Sequence, residues 1–146
     1  MQLLDLNILL YAVNTESPRH VPARAWVEAA MNGAEAVAIP WVVILGFLRI
    51  ATSRHVFDRP LDVEQACEIV DGWLTRPNVV RLDPGSEHWR TLRTLLTAAG
   101  TAGNLTTDAH LATLAIEHEC ELCSTDGDFA RFPGLTWRDP LRTEPA

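Results

Sequence analysis

The sequence predicts a three-layer α/β/α sandwich built on a central parallel sheet. Two observations lead there. Short apolar runs of strand length alternate with longer stretches of helical periodicity along the whole chain, separated by polar or glycine-containing breaks, which is the signature of successive βα units. The 146 residues suffice for one hydrophobic core and are too few for two, and no repeat, low-complexity tract or interdomain linker interrupts them. One domain spanning 1–146 is the expected organisation.

The elements follow in order. Leu3 to Leu6 reads as a strand with Asp5 near its carboxyl end. After the polar break 14–20, the spacing of Ala25, Glu28 and Ala29 predicts a helix from Val21 to Met31, stopped by Asn32 and Gly33. Ala36 to Ile39 is a second strand, ended by Pro40. Residues 41–53 are apolar nearly all round, and their length makes them a buried helix despite many β-branched side chains. Asp62 caps the next helix, which carries Ala66, Ile69, Val70 and Trp73. Asn78 to Leu82 is a third strand. Ser86 opens a helix through Trp89, Leu92, Leu95 and Leu96 that ends at Gly100. Thr106 or Thr107 caps a helix containing His110, Leu111, Leu114 and Ala115. Glu121 to Ser124 is a fourth strand, Asp126 opens a short helix to Phe132, and Leu135 to Trp137 is a last short strand.

Composition narrows the function. A formal net charge of -7 and a pI near 5.1 speak against a protein that grips long duplex nucleic acid by its backbone. They leave room for an enzyme on RNA whose acidic pocket is neutralised by cations. No apolar run reaches the ~20 residues of a membrane span. The N-terminal stretch has no basic flank and carries Asp5 in its apolar part, unlike a signal peptide, so a cytoplasmic protein is expected. Cys120 and Cys123 form a C-x-x-C, but on a strand residues three apart face opposite ways, so the thiols read as small buried hydrophobes.

The candidate chemistry lies with the aspartates. In open α/β sheets, ligand sites lie beyond the carboxyl ends of the strands. Asp5 ends the first strand, Asp126 follows the fourth, Asp128 shares its turn, and Asp108 opens a helix whose start faces the same sheet edge. Such a cluster repels itself unless divalent cations neutralise it, and Mg²⁺ or Mn²⁺ take oxygen ligands of this kind. Taken singly, Asp108, Asp126 and Asp128 have ordinary readings as helix-start or turn residues. Asp5 does not, because a carboxylate between Leu4 and Leu6 on a central strand is costly to bury without a partner or a ligand. Dehalogenase-type phosphatases, phosphoacceptor receiver domains and P-loop enzymes also need a lysine near the phosphoryl group. All twelve basic residues here are arginines, and those classes fall.

Four stretches in this order carry a family resemblance: D-L-N at 5–7, F-L-R-I-A-T at 47–52, G-N-L-T-T-D-A-H-L-A at 103–112 and S-T-D-G-D-F at 124–129. Together with F-P-G-L-T-W-R-D-P-L at 132–141 they cover nearly the whole chain. The chain resembles the VapC-type PIN-domain toxins, the ribonuclease halves of bacterial toxin–antitoxin pairs. The resemblance implies a PIN-like fold and Mg²⁺-dependent (or Mn²⁺-dependent) endonucleolytic cleavage of RNA by a metal-activated water. It also implies a homodimer and inhibition by a cognate VapB-like antitoxin, whose tail is expected to present an arginine to the acids. By position, Asp5, Asp108 and Asp126 match the family's metal-binding acids and Asp128 a frequent fourth. Asn7 and Thr125 match polar residues that orient the metal ligands.

One departure stands out. Many PIN toxins carry a glutamate directly before F-L-R, where this chain has Gly46. Either Asp128 supplies the missing charge or one metal binds weakly. The alternative is a weakened or inactive PIN-fold protein that binds RNA or antitoxin without cutting. A DNA nuclease of the flap type is a third reading, disfavoured because no basic helical arch is present. Arg49, Arg54, His55 and Arg59 are candidates for a phosphate-contacting rim, with Arg49 the first choice. His110 is placed to touch substrate, His20, His55, His88 and His118 read as surface residues, and Trp41 and Trp137 as core or dimer contacts.

Overall fold

A computed structural model of the chain describes residues 1–142; the end of the expected domain, 143–146, lies outside them. Its strands are β1 (Gln2–Leu4), β2 (Val37–Ala38), β3 (Val79–Val80), β4 (Glu121–Cys123) and β5 (Trp137–Arg138). They form one five-stranded sheet in the order β3-β2-β1-β4-β5, with every neighbouring pair parallel. The helices are α1 (Leu6–Val13), α2 (His20–Asn32), α3 (Trp41–Ala51), α4 (Val63–Leu74), α5 (His88–Ala99) and α6 (Thr106–Glu117).

Connection handedness explains the layers. From β1 the chain steps outward to β2 and β3, then reverses across the sheet to β4. Right-handed crossovers therefore put α1 to α4 on one face and α5 with α6 on the other. The contacts agree: α1 packs on α2 and α3, α3 on α4, and α5 on α6. Leu3, Leu4, Val37, Ala38, Ile39 and Leu122 are fully buried between the layers. Phe47 of α3 meets Trp73 of α4 edge-on at 4.6 Å, closing one side of the core. No helix among the described residues is long and apolar enough to cross a membrane.

Several local readings hold. Asp62 forms a full capping box with Gln65, and Gly100 ends α5 in the left-handed conformation at φ 77°. Cys120 and Cys123 are buried, unpaired thiols, and burial pushes Cys123 up to about 12, so it is not poised as a nucleophile.

Other readings need correction. The first strand stops at Leu4, and the chain turns directly into α1, a helix the sequence reading missed. Leu6 to Val13 has no exposed face to create a helical pattern, so its apolar character resembled a continuing strand. The opposite error occurred in α3, where Trp41 and Leu45, one turn apart, are 51% and 60% exposed. Trp41 is therefore no core residue; the Arg81 guanidinium lies over its ring at 5.3 Å. Neither Thr106 nor Thr107 caps α6. A 3₁₀ turn, Gly103–Leu105, leads into it, Leu105 is the cap residue, and the Thr106 hydroxyl donates back to Gly103 O at 2.9 Å.

Candidate active site

The reversal of direction between β1 and β4 creates the crevice in which α/β proteins bind ligands. Leu4 pairs with Cys123 at the ends of these two strands, so Asp5 and Ser124 emerge side by side. The Asp5 amide donates to Cys123 O at 3.0 Å. Asp5 then caps α1, one carboxylate oxygen accepting the Leu6 amide at 2.7 Å. The other oxygen accepts the Ser124 hydroxyl at 2.7 Å.

Ser124 is the centre of this network. Fully buried, it also accepts the Asp126 amide at 3.0 Å, and the Asn7 side-chain amide lies 3.4 Å from its hydroxyl. Its carbonyl accepts the Trp137 indole N–H at 2.9 Å, which makes Trp137 part of the fold beneath the site. Asp126 in turn caps the 3₁₀ turn Gly127–Arg131, accepting the Asp128 amide at 2.9 Å. Sequence reasoning chose Asn7 and Thr125 as the orienting residues and passed over Ser124. Thr125 is half-buried beside it, and among the described residues no side-chain hydrogen bond joins it to the network. The signal available was positional: a small hydroxyl directly after the strand that neighbours Asp5.

Electrostatics ties the acids together. Asp5 is only 7% exposed, and its carboxyl is raised above the ordinary range chiefly by burial. The Ser124 and Leu6 hydrogen bonds oppose that rise, and the charge of Asp126 adds to it. Asp108, in the first turn of α6, is pushed up to about 7 by burial and then by the charges of Asp5, Asp126 and Asp128. Among the described residues none of these four aspartates forms an ion pair. Asp108 thus lies within electrostatic reach of the other three expected acids, with no ion pair among the described residues to balance them.

Gly46 has a local cause. It is buried in α3, and a Cβ built on it would lie 2.7 Å from Leu6 Cδ2. The side chain next to Asp5 fills the space that a residue at 46 would occupy.

The remaining candidates are not gathered here. Arg49, Arg54 and His55 are exposed and form no ion pair among the described residues, and Arg59 pairs with Glu16 at 3.7 Å. His110 is turned toward α5: its Nδ1 meets His88 Nε2 at 2.9 Å. His88 Nδ1 bonds Glu117, whose second oxygen accepts the Gly85 amide at 2.7 Å. His88 is therefore no surface residue, with its side chain 13% exposed, and His110 is held in helix packing rather than offered to substrate.

The donor set suits a hard cation. Every group at the crevice is a carboxylate, hydroxyl or amide oxygen, the chemistry of Mg²⁺ and Mn²⁺ rather than of thiolate- or imidazole-seeking metals. Among the described residues no three carboxylate, imidazole or thiol groups form a closed metal cage. Mg²⁺ keeps much of its water and needs only one or two direct carboxylates, so the open arrangement fits it.

The PIN domain family model matches residues 3–135. Ribonuclease VapC37 of Mycobacterium tuberculosis is 45% identical over 140 residues, 96% of this chain and 97% of that protein. Ribonuclease VapC33 of the same species is 46% identical over 138 residues, 94% of this chain and 96% of that protein. Among solved structures, VapBC2 from Rickettsia felis bound to a promoter DNA fragment superposes with a TM-score of 0.67 at 21% identity, covering 94% of this chain and 96% of that one. At that identity the likeness speaks to the fold alone. With relatives this close across nearly its full length, the chain belongs to the PIN-domain family, in the VapC ribonuclease group.

Proposed function

We propose that the protein is a Mg²⁺-dependent endoribonuclease, the toxin of a toxin–antitoxin pair, and that it works in the cytoplasm. The observation that carries this reading is Asp5: a buried carboxylate, hydrogen-bonded but in no ion pair among the described residues, within electrostatic reach of Asp108 and Asp126. Burial and then the neighbouring carboxylates raise Asp108 to about 7, and a cluster so placed gains most from a divalent cation. The two relatives, ribonucleases VapC37 and VapC33, support the substrate class.

Asp5, Asp108 and Asp126 would hold the cation, and Asp128 would add negative charge at the open side. When bound, Mg²⁺ (or Mn²⁺) would activate water toward a phosphodiester and offset charge on the leaving oxygen. The chain's own residues prepare for this. Ser124 and the Leu6 amide fix both oxygens of Asp5, Ser124 also sets the turn that carries Asp126, and Asn7 flanks them. The start of α6 favours negative charge beside Asp108. No histidine is needed as base, in keeping with His110 being occupied elsewhere. Arg49 is retained as a phosphate contact at the rim.

The partner proposed is a VapB-like antitoxin whose tail sets an arginine among the carboxylates, where a guanidinium substitutes for the cation. Solved structures of this fold include toxin–antitoxin complexes, which supports that partner. A homodimer is proposed as well, with the exposed Trp41 and Leu45 on α3 as its contact. Retention of all four acids disfavours the non-cleaving alternative.

The test is direct. Purified protein, free of antitoxin, is incubated with total RNA and Mn²⁺ or Mg²⁺. Metal-dependent fragments that disappear in Asp5→Asn support the proposal; an RNA pool left intact by correctly folded protein with either metal sinks it.

A further inference from the structure

Beyond the carboxylate crevice, α5 carries a face that no catalytic argument uses. Trp89, Arg93 and Thr97 recur at four-residue spacing and lie on one stripe of the helix, with Arg90 and Thr94 beside them. These residues and Ala98 line a shallow open hollow of about 570 Å³. The indole of Trp89 is 67% exposed, whereas that of Trp41 is already covered by a guanidinium. From His88 to Thr107 the chain has no acidic residue, in a protein of net charge -7. Glu87, directly before the helix, pairs with Arg90 at 3.3 Å, leaving Arg93 free of any ion pair among the described residues.

The face leads to the site. At its far end the Arg131 guanidinium donates to Ala99 O at 3.0 Å, and Arg131 belongs to the 3₁₀ turn that also carries Asp128. A twelve-residue helix is about 18 Å long, so the stripe reaches from an exposed indole to the edge of the acid cluster. We propose that this face of α5 is a docking track for single-stranded RNA, Trp89 stacking on a base and Arg93 and Arg131 contacting phosphates on the way to the carboxylates. Stacking platforms interleaved with guanidinium groups are how single strands are held without reading paired edges. The charge sense selects the occupant: an acidic crevice repels RNA, and an acid-free helix beside it supplies the attraction the crevice lacks. The inference rests on the ribonuclease reading but is separable from it.

Anisotropy of a labelled single-stranded RNA of mixed sequence, with Ca²⁺ present to screen the acids, tests it on Trp89→Ala and Arg93→Ala. Both side chains are exposed, so the fold is kept. The expected result is about tenfold weaker binding for each. Arg93→Ala also lowers the salt slope by about 0.7 while Trp89→Ala leaves it unchanged. Affinities equal to wild type, or a wild-type protein that does not bind this RNA, overturn the proposal. So does a loss of affinity for the cognate antitoxin with RNA binding intact, which would make the face a protein contact. RNA that is bound through these residues but never cut leaves the track standing and removes the nuclease reading instead.

Discussion

The Ser124 hydroxyl donates to Asp5 Oδ2 at 2.7 Å, joining residues 119 positions apart. Ser124 Oγ in turn accepts the Asp126 amide, so one small side chain sets the distance between the first and the third acid of the site. Ser124→Ala leaves a buried carboxylate oxygen and a backbone amide unpartnered. The expected cost is about 1–3 kcal/mol in urea unfolding at neutral pH, together with weaker Mg²⁺ binding followed by calorimetry. Unchanged stability and unchanged metal affinity would show that the network does not organise the site.

The acid cluster makes metal-free stability depend on pH with an unusual sign. Asp108 is raised from 3.8 to about 7, so between those values the folded chain keeps a proton that the unfolded chain has released. Stability from this group is fully present below about pH 4 and is lost as pH rises through about 7. Asp5, raised by burial, acts in the same direction. The readout is the melting temperature in EDTA for wild type against Asp108→Asn. The variant gains over wild type as pH climbs from 4 to 7, and saturating Mg²⁺ narrows the difference. A gap that closes with rising pH in EDTA contradicts the assignment.

Leu6 and Gly46 compete for one space. A Cβ at 46 would sit 2.7 Å from Leu6 Cδ2, although alanine is the better helix former by about 1 kcal/mol. Gly46→Ala should therefore be neutral or destabilising in wild type and stabilising once Leu6→Ala has emptied the space. The double-mutant cycle is expected to show a coupling of about 1–3 kcal/mol. Additive effects would mean that Leu6 turns aside without cost.

His88 links two partners, Glu117 and His110, between α5 and α6. Its replacement by alanine strands both groups, and a loss of about 1–3 kcal/mol is expected by denaturant unfolding. His55→Ala, at an exposed position, serves as control and should stay within about 0.5 kcal/mol. Equal, small effects for the two would return His88 to the surface role its sequence suggested.

What was legible in the sequence, and what was not, divides along physical lines. Alternating apolar runs and helix signals specified the α/β class; Asp5 was conspicuous as a carboxylate inside an apolar run, and Asp108, Asp126 and Asp128 were picked out by their motifs and their places at the same sheet edge. The stop of β1 at Leu4 was invisible, since α1 is apolar nearly all round and has no fully exposed face. Ser124 was invisible as well: a serine after a strand is unremarkable until parallel pairing sets it beside Asp5. His88 looked like a surface residue because its partners lie on another helix. Residue chemistry and local periodicity are written in the chain itself, and they determined the class and named the acids as candidates. Only the sheet order, which reverses between β1 and β4, decided that those acids share a crevice, which hydroxyl holds them, and that an exposed tryptophan stripe runs toward them.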